Sequence, residues 1–211
     1  MPTSPCAVKG TSLPWIAQRD LTVVIPAKGD DVLYAYQYLE PRLKPGVAAV
    51  HVVKNQLYGE AVKRGVQEAT TPLIATMDAD GQHTPELLWE LFGVAATHRP
   101  HMCIAQQPRQ QGPRATASAL LNLAASILAG QRVPDFGSGL RVFRRQDYLD
   151  AIDRLPDGFD HNAALTMSFV VGGKSVHWVP LNVGHRLHGV SYVRFIDGLL
   201  TLKTLTRCRA L

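Results

Sequence analysis

Short apolar runs alternate along the chain with longer segments whose apolar residues recur every three or four positions. The run at residues 21–25 is rich in β-branched side chains and is closed by Pro26, which predicts a buried strand. Thr84 followed by Pro85 has the chemistry of a helix start. The alternation predicts an α/β fold with a mostly parallel central sheet flanked by helices. We expect strands at residues 21–25, 47–53, 72–77, 102–106, 140–143 and 175–180, and helices at residues 30–43, 59–69, 84–97, 115–129, 147–154 and 161–171.

Composition narrows the class of protein. The chain has 211 residues, of which 46% are hydrophobic and 18% charged, as is typical of one globular domain. Its three cysteines, Cys6, Cys103 and Cys208, lie far apart, which argues against a disulfide scaffold or a clustered zinc site. The longest apolar segment, residues 115–130, contains polar side chains and falls short of the roughly 20 apolar residues that span a bilayer. We therefore expect a cytoplasmic protein, either soluble or peripheral at the inner face of the membrane.

The net charge of +5 is unevenly distributed. Residues 1–105 carry 9 basic and 10 acidic side chains, whereas residues 106–211 carry 13 basic and 7 acidic ones, and 11 of those 13 are arginines. A guanidinium group matches a phosphate or carboxylate in a bidentate fashion, so the second half favours an anionic partner. Charge alone leaves open a phosphate-bearing substrate, an anionic membrane surface or nucleic acid.

Two carboxylates follow the third predicted strand, in the segment Asp-Ala-Asp-Gly-Gln at residues 78–82. Open α/β sheets bind ligands at the carboxyl edge, and the side chains of Asp78 and Asp80 can both reach that crevice. Such a pair suits a hard cation, Mg²⁺ or Mn²⁺, that bridges to phosphate oxygens. The alternative is a solvated turn that caps the next helix, but the strand–turn–helix context favours the metal site.

Two later segments combine glycines with hydrogen-bond donors. Residues 135–141 place glycines at positions 137 and 139, where the backbone can approach a ligand closely, beside Ser138 and Arg141. Residues 185–192 combine Arg186 with a glycine and Ser191, a set that could close over a diphosphate. Taken singly, the first segment is equally typical of a β-turn before a strand, and the second is more typical of a surface loop.

In their order along the chain these segments resemble the motifs of family 2 glycosyltransferases of the GT-A type. More narrowly, they resemble polyprenyl-phosphate sugar transferases related to dolichyl-phosphate mannose synthase. The resemblance spans residues 21–195 and implies a single Rossmann-like GT-A domain. The matched motifs are V-V-I-P at residues 23–26, D-A-D-x-Q-H-x-P-E at residues 78–86, D-x-x-S-G-x-R at residues 135–141 and R-x-x-G-x-S-Y at residues 186–192.

The resemblance implies roles for residues on the donor side. Asp78, Asp80 and Gln82 would hold Mg²⁺ or Mn²⁺ and the donor diphosphate, with Asp80 taking part in catalysis. Arg186, also catalytic, and Ser191 would lie on a mobile loop beside the donor. The residues that would border the nucleotide base are Pro26, Ala27, Asp30 and Asp31.

The same resemblance implies inverting transfer of a sugar from a nucleotide-diphosphate donor to a polyprenyl phosphate at the cytoplasmic membrane face. A phosphate acceptor is already anionic at neutral pH, whereas a sugar hydroxyl would require a carboxylate base, for which Asp160 is the candidate. The alternative role of Asp160, which its position favours, is the N-cap of the helix starting at His161. The residues that would bind the acceptor phosphate are Arg114, Arg132, Ser138 and Arg141.

The chain departs from the family pattern in two places. The N-x-G-x-G-x-A stretch is matched at Asn55, Gly59 and Ala61, but Leu57 stands in place of the first glycine. The family's V-D-D-x-S strand end, with an Asp at the nucleotide base, is missing, and residues 41–59 contain no acidic side chain. Two alternatives therefore stay open: a transferase with a saccharide or other soluble acceptor, and a degenerate, non-catalytic member that binds a ligand or partner.

Two helical segments could contact lipid. Residues 115–129 are typical either of a buried helix or of one that lines a lipid groove between arginines. Residues 195–211, after the domain at residues 21–194, could form an amphipathic helix that lies in an anionic membrane interface or packs on the domain. Residues 1–20 would be an N-terminal extension.

The expected partners follow from these assignments. They are a nucleotide-diphosphate sugar, a polyprenyl phosphate lipid, and either a peripheral membrane contact or a membrane partner protein. Nucleic acid is not expected, because it would explain the arginines but not the D-A-D-x-Q signature.

Overall fold

Six strands in the described part of the chain form one sheet. The computed structural model describes residues 18–54, 57–106, 113–184 and 203–204, except for the side chains of residues 18 and 113–115. Each strand lies where the apolar pattern predicts one. The strands are β1 (Leu21–Ala27), β2 (Ala49–Lys54), β3 (Leu73–Thr76), β4 (Met102–Gln106), β5 (Arg141–Arg144) and β6 (Val176–Pro180).

The strand order is β2-β1-β3-β5-β4-β6. β1 runs parallel to β2 and β3, and β4 runs parallel to β6. β5 is antiparallel to both of its neighbours, β3 and β4. The prediction of an α/β fold with a mostly parallel sheet is confirmed, and β5 brings the chain back across the sheet with its N-terminal end at the edge where β3 and β4 end.

Seven α-helices in the described residues connect and cover these strands. The predicted helix at residues 30–43 is divided by a π-helical turn, Ala35–Leu39. The reason is Pro41, which lacks an amide hydrogen and whose ring crowds the preceding turn, so regular α-helical bonding cannot pass through it. The helices are α1 (Asp31–Tyr34), α2 (Glu40–Leu43), α3 (Tyr58–Glu68), α4 (Pro85–His98), α5 (Pro113–Ala129), α6 (Arg145–Leu149) and α7 (His161–Val171).

The core lies on both faces of the sheet. Along β1, Val24 packs into one hydrophobic cluster, while Val23 and Ile25 pack into the other. This follows from the two-residue period of a strand, which directs successive side chains to opposite faces. Because helices cover both faces, the strand is apolar throughout, which explains the uninterrupted run in the sequence.

Helix α4 begins as its sequence predicts. The Thr84 hydroxyl accepts a hydrogen bond from the amide of Leu87, and Pro85 occupies the first turn. This start fixes the direction in which the chain leaves the segment at residues 78–82. In the described part of the chain, no helix is long and apolar enough to cross a membrane.

Candidate functional site

The candidate site lies at the edge of the sheet where the parallel strands end. β1, β2 and β3 all end at this edge, and antiparallel β5 begins there, with Thr76 opposite Arg141. This topology brings the segment after β3 and the segment before β5 together, although more than 50 residues separate them in the sequence. It is the edge at which open α/β sheets bind ligands.

The turn after β3 presents the two predicted metal-binding carboxylates. The Asp80 carboxylate is buried, and its Oδ1 accepts a hydrogen bond from the amide of Gln82 at 3.0 Å. Gly81 has a φ of 82°, a left-handed conformation that favours glycine. The side-chain amide nitrogen of Gln82 donates to the carbonyl of Gly184 at 3.2 Å. The turn is thus held by one local hydrogen bond, to Asp80, and by one bond to a distant segment, from Gln82.

His83 holds the base of this turn. Its imidazole is buried, and Nδ1 accepts a hydrogen bond from the backbone amide of Asp78 at 3.1 Å. Because Nδ1 is an acceptor in this bond, the ring proton lies on Nε2 in the neutral imidazole. His83 therefore positions the backbone of a predicted ligand, a role that the sequence motif alone did not reveal.

Gly139, in the segment before β5, lies against Asp78. The hydroxyl of Thr76 donates to the carbonyl of Gly139 at 2.8 Å, which fixes this segment beside the end of β3. A β-carbon at position 139 would overlap the Asp78 carboxylate. Only glycine fits here, because the backbone at position 139 lies against the Asp78 side chain. The sequence predicted a close approach at this position, but to a ligand.

Tyr58 and Asn162 link helices α3 and α7 near the candidate site. The side-chain amide of Asn162 donates to the Tyr58 hydroxyl at 3.1 Å. Burial raises the pKa of Tyr58 well above its ordinary value, and the negative charge of Asp78 raises it further. The phenol is therefore neutral and able to donate. Neither residue stood out in the sequence, because each belongs to an ordinary helical segment.

The turn at residues 135–138 is held from both ends. Oδ1 of Asp135 accepts hydrogen bonds from the amides of Gly137 and Ser138, at 2.9 and 3.1 Å. The indole of Trp178 donates to the Asp135 carbonyl at 2.7 Å and so ties the turn to β6. These contacts confirm a tight turn before β5 and place Ser138 at the candidate site.

Arg141, predicted to bind the acceptor phosphate, is fully buried. Its guanidinium donates to the carbonyls of Ser138 and Phe136 and to the hydroxyl of Thr166. Burial lowers the pKa of Arg141 to about 10, opposed by the negative charges near it, so the group is still cationic at neutral pH. Since its donors are directed at protein acceptors, Arg141 stabilises the turn that carries Ser138.

The other predicted phosphate-binding groups have different surroundings. Ser138 is buried, and within the described residues no group forms a hydrogen bond with its hydroxyl. Arg132 is exposed in the loop after α5. Arg114 belongs to the first turn of α5, and its side chain lies outside the described residues. Ser138 is therefore the group whose environment best suits an incoming ligand.

The end of β1 carries the predicted donor-side residues. Pro26 and Ala27 are buried at the edge, with Ala27 opposite Lys54 at the end of β2. Asp30 is exposed in the turn that follows, and Asp31 is buried in the first turn of α1. At the end of β2, beside these residues, the chain presents the exposed side chain of Lys54.

Asp160 precedes the first residue of α7, at the predicted N-cap position. Its side chain makes no capping hydrogen bond. Instead, Oδ2 accepts a hydrogen bond from the hydroxyl of Thr204 at 2.6 Å. Thr204 thus lies at the start of α7, where Asn162 is the second residue of that helix. Arg186, Ser191 and most of the predicted helix at residues 195–211 lie outside the described residues.

The turn provides a donor set that fits a divalent cation. Asp78 and Asp80 contribute carboxylates and Gln82 an amide, all oxygen donors of the kind that Mg²⁺ and Mn²⁺ prefer. In the described part of the chain, no group of three His, Cys, Asp or Glu side chains could hold a metal by itself. A cation at this turn would therefore complete its coordination with ligand oxygens or water, as is usual for Mg²⁺ sites that bind phosphates.

The chain is similar to curated bacterial sugar transferases. The chain is 30% identical over 177 residues to the undecaprenyl-phosphate 4-deoxy-4-formamido-L-arabinose transferase of Aeromonas hydrophila subsp. hydrophila, covering 79% of this chain and 52% of the relative. It is 26% identical over 193 residues to the protein of the same name from an Enterobacter species, covering 90% of this chain and 58% of the relative. The chain spans little more than half the length of these two relatives.

Solved structures share the fold at lower identity. Glucosyl-3-phosphoglycerate synthase from Mycobacterium tuberculosis, in complex with Mn²⁺, uridine diphosphate and phosphoglyceric acid, has a TM-score of 0.70 and 16% identity, covering 92% of this chain and 79% of that one. Its complex with Mn²⁺, UDP-glucose and phosphoglyceric acid has a TM-score of 0.69 and 16% identity. These similarities confirm the GT-A fold.

The family assignment rests on a match that covers most of the site. Residues 30–164 match the family described as glycosyl transferase family 2, and they include the turn after β3, the segment before β5 and the start of α7. The family membership predicted from the sequence motifs is confirmed: this chain belongs to glycosyl transferase family 2.

Proposed function

We propose that this protein transfers a sugar from a nucleotide-diphosphate donor to a polyprenyl phosphate, with inversion at the anomeric carbon. The observation that carries the proposal is the juxtaposition of Asp78 with Gly139 at the sheet edge. It sets the cation-binding turn directly beside the turn that presents Ser138, so two phosphate-bearing substrates can meet there. The curated relatives are named as undecaprenyl-phosphate sugar transferases, which supports the choice of acceptor.

Asp78, Asp80 and Gln82 would hold a divalent cation, Mg²⁺ or Mn²⁺, in this function. The amide nitrogen of Gln82 is engaged with Gly184, so its oxygen is the atom that would be offered to the cation. When bound, the cation supplies positive charge that stabilises the departing nucleotide diphosphate. The residues of the turn contribute by keeping both carboxylates in place before the donor arrives.

The acceptor phosphate would bind on the other side of this turn. Ser138 would donate its buried hydroxyl, and Arg132 and Arg114 would contribute charge from either end of α5. Arg141 would contribute indirectly, because its hydrogen bonds to the carbonyls of Phe136 and Ser138 stabilise the turn that carries Ser138. A phosphate oxygen would attack the anomeric carbon as the bond from that carbon to the diphosphate breaks.

This acceptor removes the need for a strong base. A polyprenyl phosphate is anionic at neutral pH, so no proton has to be abstracted before attack. Asp160 would then hold Thr204 in position through their hydrogen bond and would take no part in proton transfer. A hydroxyl acceptor would instead require a carboxylate in this region.

The lipid chain of the acceptor would follow α5. Leu120, Leu123 and Ile127 recur along one side of this helix and are all exposed, an arrangement that suits contact with isoprenoid or membrane hydrocarbon. With the basic C-terminal residues 195–211, they would hold the protein at the membrane surface. Deleting residues 195–211 should weaken sedimentation with liposomes containing anionic lipid, and unchanged binding would exclude a membrane role for that segment.

A panel of nucleotide-diphosphate sugars with Mn²⁺ tests the function. Thermal stabilisation by one donor, followed by transfer of its labelled sugar to a short polyprenyl phosphate, is the expected result. Transfer only to a saccharide or another soluble phosphate would support a glycosyltransferase but contradict polyprenyl phosphate as its acceptor. If no donor stabilises the protein, the non-catalytic alternative is favoured, for which the missing acidic residue near Lys54 provides a reason.

A further inference from the structure

We propose that Asn122 and Ser126 of α5 are positioning residues that hold the loop at residues 131–138 for the acceptor phosphate. We take Arg132 and Ser138, both in this loop, as groups that meet the phosphate, and in this the proposal rests on the proposed function. Neither Asn122 nor Ser126 lies in the motifs that carry the family resemblance. The proposal assigns a task to polar side chains that interrupt the apolar sequence of α5.

Ser126 ties the first part of the loop to the helix. Its hydroxyl accepts a hydrogen bond from the amide of Val133 at 2.9 Å and donates to the carbonyl of Asn122, one turn earlier, at 2.7 Å. The carbonyl of Val133 is a more distant acceptor, at 3.4 Å. Val133 is buried in the core and directly follows Arg132. The Ser126 hydroxyl therefore fixes the backbone beside the point from which the Arg132 side chain projects.

Asn122 ties the second part of the loop to the same side of the helix. Its side-chain oxygen accepts a hydrogen bond from the amide of Phe136 at 3.3 Å. The carbonyl of Phe136 accepts from Arg141 and from Thr166, so this residue is held from α5, β5 and α7 at once. Phe136 is buried in the core, and Ser138 follows it by two residues. Asn122 thus acts on the segment that presents the Ser138 hydroxyl.

The same helix carries the exposed apolar side chains assigned to the lipid. Leu120, Leu123 and Ile127 are exposed, whereas Asn122 and Ser126 are half-buried on another side of α5. Because the loop is bound to the helix at two points, α5 sets the distance between the surface for hydrocarbon and the groups for phosphate. A lipid along this helix would bring its phosphate to a loop already in place, and less conformational freedom is lost on binding.

Ser126→Ala removes the acceptor of the Val133 amide, and its effect is measured by sugar transfer to a polyprenyl phosphate. We expect the acceptor KM to rise about three- to tenfold, equivalent to one hydrogen bond, while the donor KM and Mn²⁺ affinity stay unchanged. Ser126→Thr keeps a hydroxyl and should restore the wild-type KM. Ser118→Ala, the same change at an exposed position of α5, is the matched control and should leave both KM values unchanged.

Double variants test whether each polar residue acts through the loop. If Ser126 acts through Arg132, adding Ser126→Ala to Arg132→Ala should change the acceptor KM by less than about twofold. In the same way, Asn122→Ala should raise the acceptor KM alone but add little to Ser138→Ala. Full multiplication of the single effects in both pairs would overturn the proposal, because the residues would then act independently.

Tyr148→Phe controls for a general loss of stability. It removes a buried hydroxyl elsewhere in the same core, 3.1 Å from Nε2 of His161. This variant should melt at a lower temperature than the wild type and keep the wild-type acceptor KM. Equal increases in acceptor KM in Ser126→Ala and Tyr148→Phe would overturn the proposal, since the effect would then be general to the core.

Acceptors of two lengths distinguish the loop from the apolar surface of α5. Leu123→Ser should raise the KM for a long-chain polyprenyl phosphate and leave that for a one-isoprene phosphate unchanged. Ser126→Ala should raise both by the same factor, because it acts at the phosphate. An effect of Ser126→Ala confined to the long chain would contradict the positioning role.

The wild-type protein separates this proposal from the proposed function. If the wild type transfers sugar to polyprenyl phosphate and Ser126→Ala keeps its acceptor KM, the positioning role is wrong and the function stands. If the wild type transfers sugar to no phosphate acceptor, the function and the positioning role are both overturned.

Discussion

The backbone of Gly139 lies so close to the carboxylate of Asp78 that a β-carbon at position 139 would overlap both of its oxygens. We therefore expect Gly139→Ala to displace Asp78 and to lower Mn²⁺ affinity by about 10- to 100-fold, the range found when the support of a metal ligand is disturbed. Titration of Mn²⁺ into the donor-free protein measures this change.

Gly137 provides the control for this substitution. It lies two residues earlier in the same turn, where an added β-carbon would meet only Oδ1 of Asp135, at an ordinary 3.8 Å. Gly137→Ala should therefore leave Mn²⁺ affinity unchanged. If Gly139→Ala binds Mn²⁺ as tightly as Gly137→Ala, the close approach has no importance for the site.

Asp80→Asn should abolish most metal-dependent transfer. The substitution keeps an oxygen that can accept the hydrogen bond from the Gln82 amide, so the turn is retained while the charge is lost. We expect kcat/KM to fall by about 100-fold or more, comparable to the loss of one group that stabilises developing charge. Transfer rates measured across a range of Mn²⁺ concentrations should show no recovery at saturation, and full activity would remove Asp80 from the metal site.

Local signals in the sequence predicted the parts of this site that depend on neighbouring residues. The turn at residues 78–82 follows an apolar strand and precedes Thr84, and three hydrogen bonds in and just after it link residues two to five positions apart. The glycines at positions 137 and 139 predicted close approach of the backbone to a ligand; the structure has a close approach at Gly139, to the side chain of Asp78. The turn is therefore determined within a few residues of the chain, whereas the neighbour of Gly139 is determined by the pairing of β3 with β5.

Contacts between distant segments were not predictable in this way. Tyr58 and Asn162 are 104 residues apart, and their contact depends on how α3 and α7 pack at the end of the sheet. Arg141 was predicted to bind the acceptor phosphate, yet its position on a central strand buries it, and its guanidinium donates to Thr166 of α7 as well as to the preceding turn. Register and packing, rather than residue type, decided these two outcomes.

Arg132 and Arg141 should behave differently when replaced. Arg141→Met removes the donors for two buried carbonyls and the Thr166 hydroxyl, and each unsatisfied group costs about 1–3 kcal/mol, so urea unfolding should show a loss of at least about 3 kcal/mol. Arg132 is exposed, so Arg132→Ala should leave the free energy of unfolding nearly unchanged. Its KM for polyprenyl phosphate should rise about tenfold, with donor KM unaffected.

Two results would contradict the structural role of Arg141 and the acceptor-binding role of Arg132. A stable Arg141→Met protein with impaired lipid use would make Arg141 a ligand for the acceptor phosphate, as the sequence first suggested. An effect of Arg132→Ala on donor KM alone would exclude Arg132 from the acceptor side.

Asp160→Asn distinguishes a phosphate acceptor from a hydroxyl acceptor. The asparagine keeps an oxygen for the hydrogen bond from Thr204, so the contact with the C-terminal residues is retained. With a phosphate acceptor, kcat should stay within about threefold of the wild type, because no base is required. A loss of about 100-fold or more would identify Asp160 as a general base and favour a saccharide acceptor. Steady-state rates with saturating donor measure the difference.

His161 should make the protein less stable in mild acid. Burial lowers its pKa from 6.5 to about 4, with the positive charges of Arg141 and Lys63 acting in the same direction and its bond to the Pro156 carbonyl opposing them. As the pH falls below 6.5 the unfolded chain takes up a proton that folded His161 accepts only near pH 4. The stabilisation is therefore complete above about pH 6.5, and about 3 kcal/mol is lost by pH 4. Urea unfolding at intervals from pH 7 to 4 measures this slope. His161→Asn should flatten the slope, and equal slopes in wild type and His161→Asn would assign the acid sensitivity to other groups.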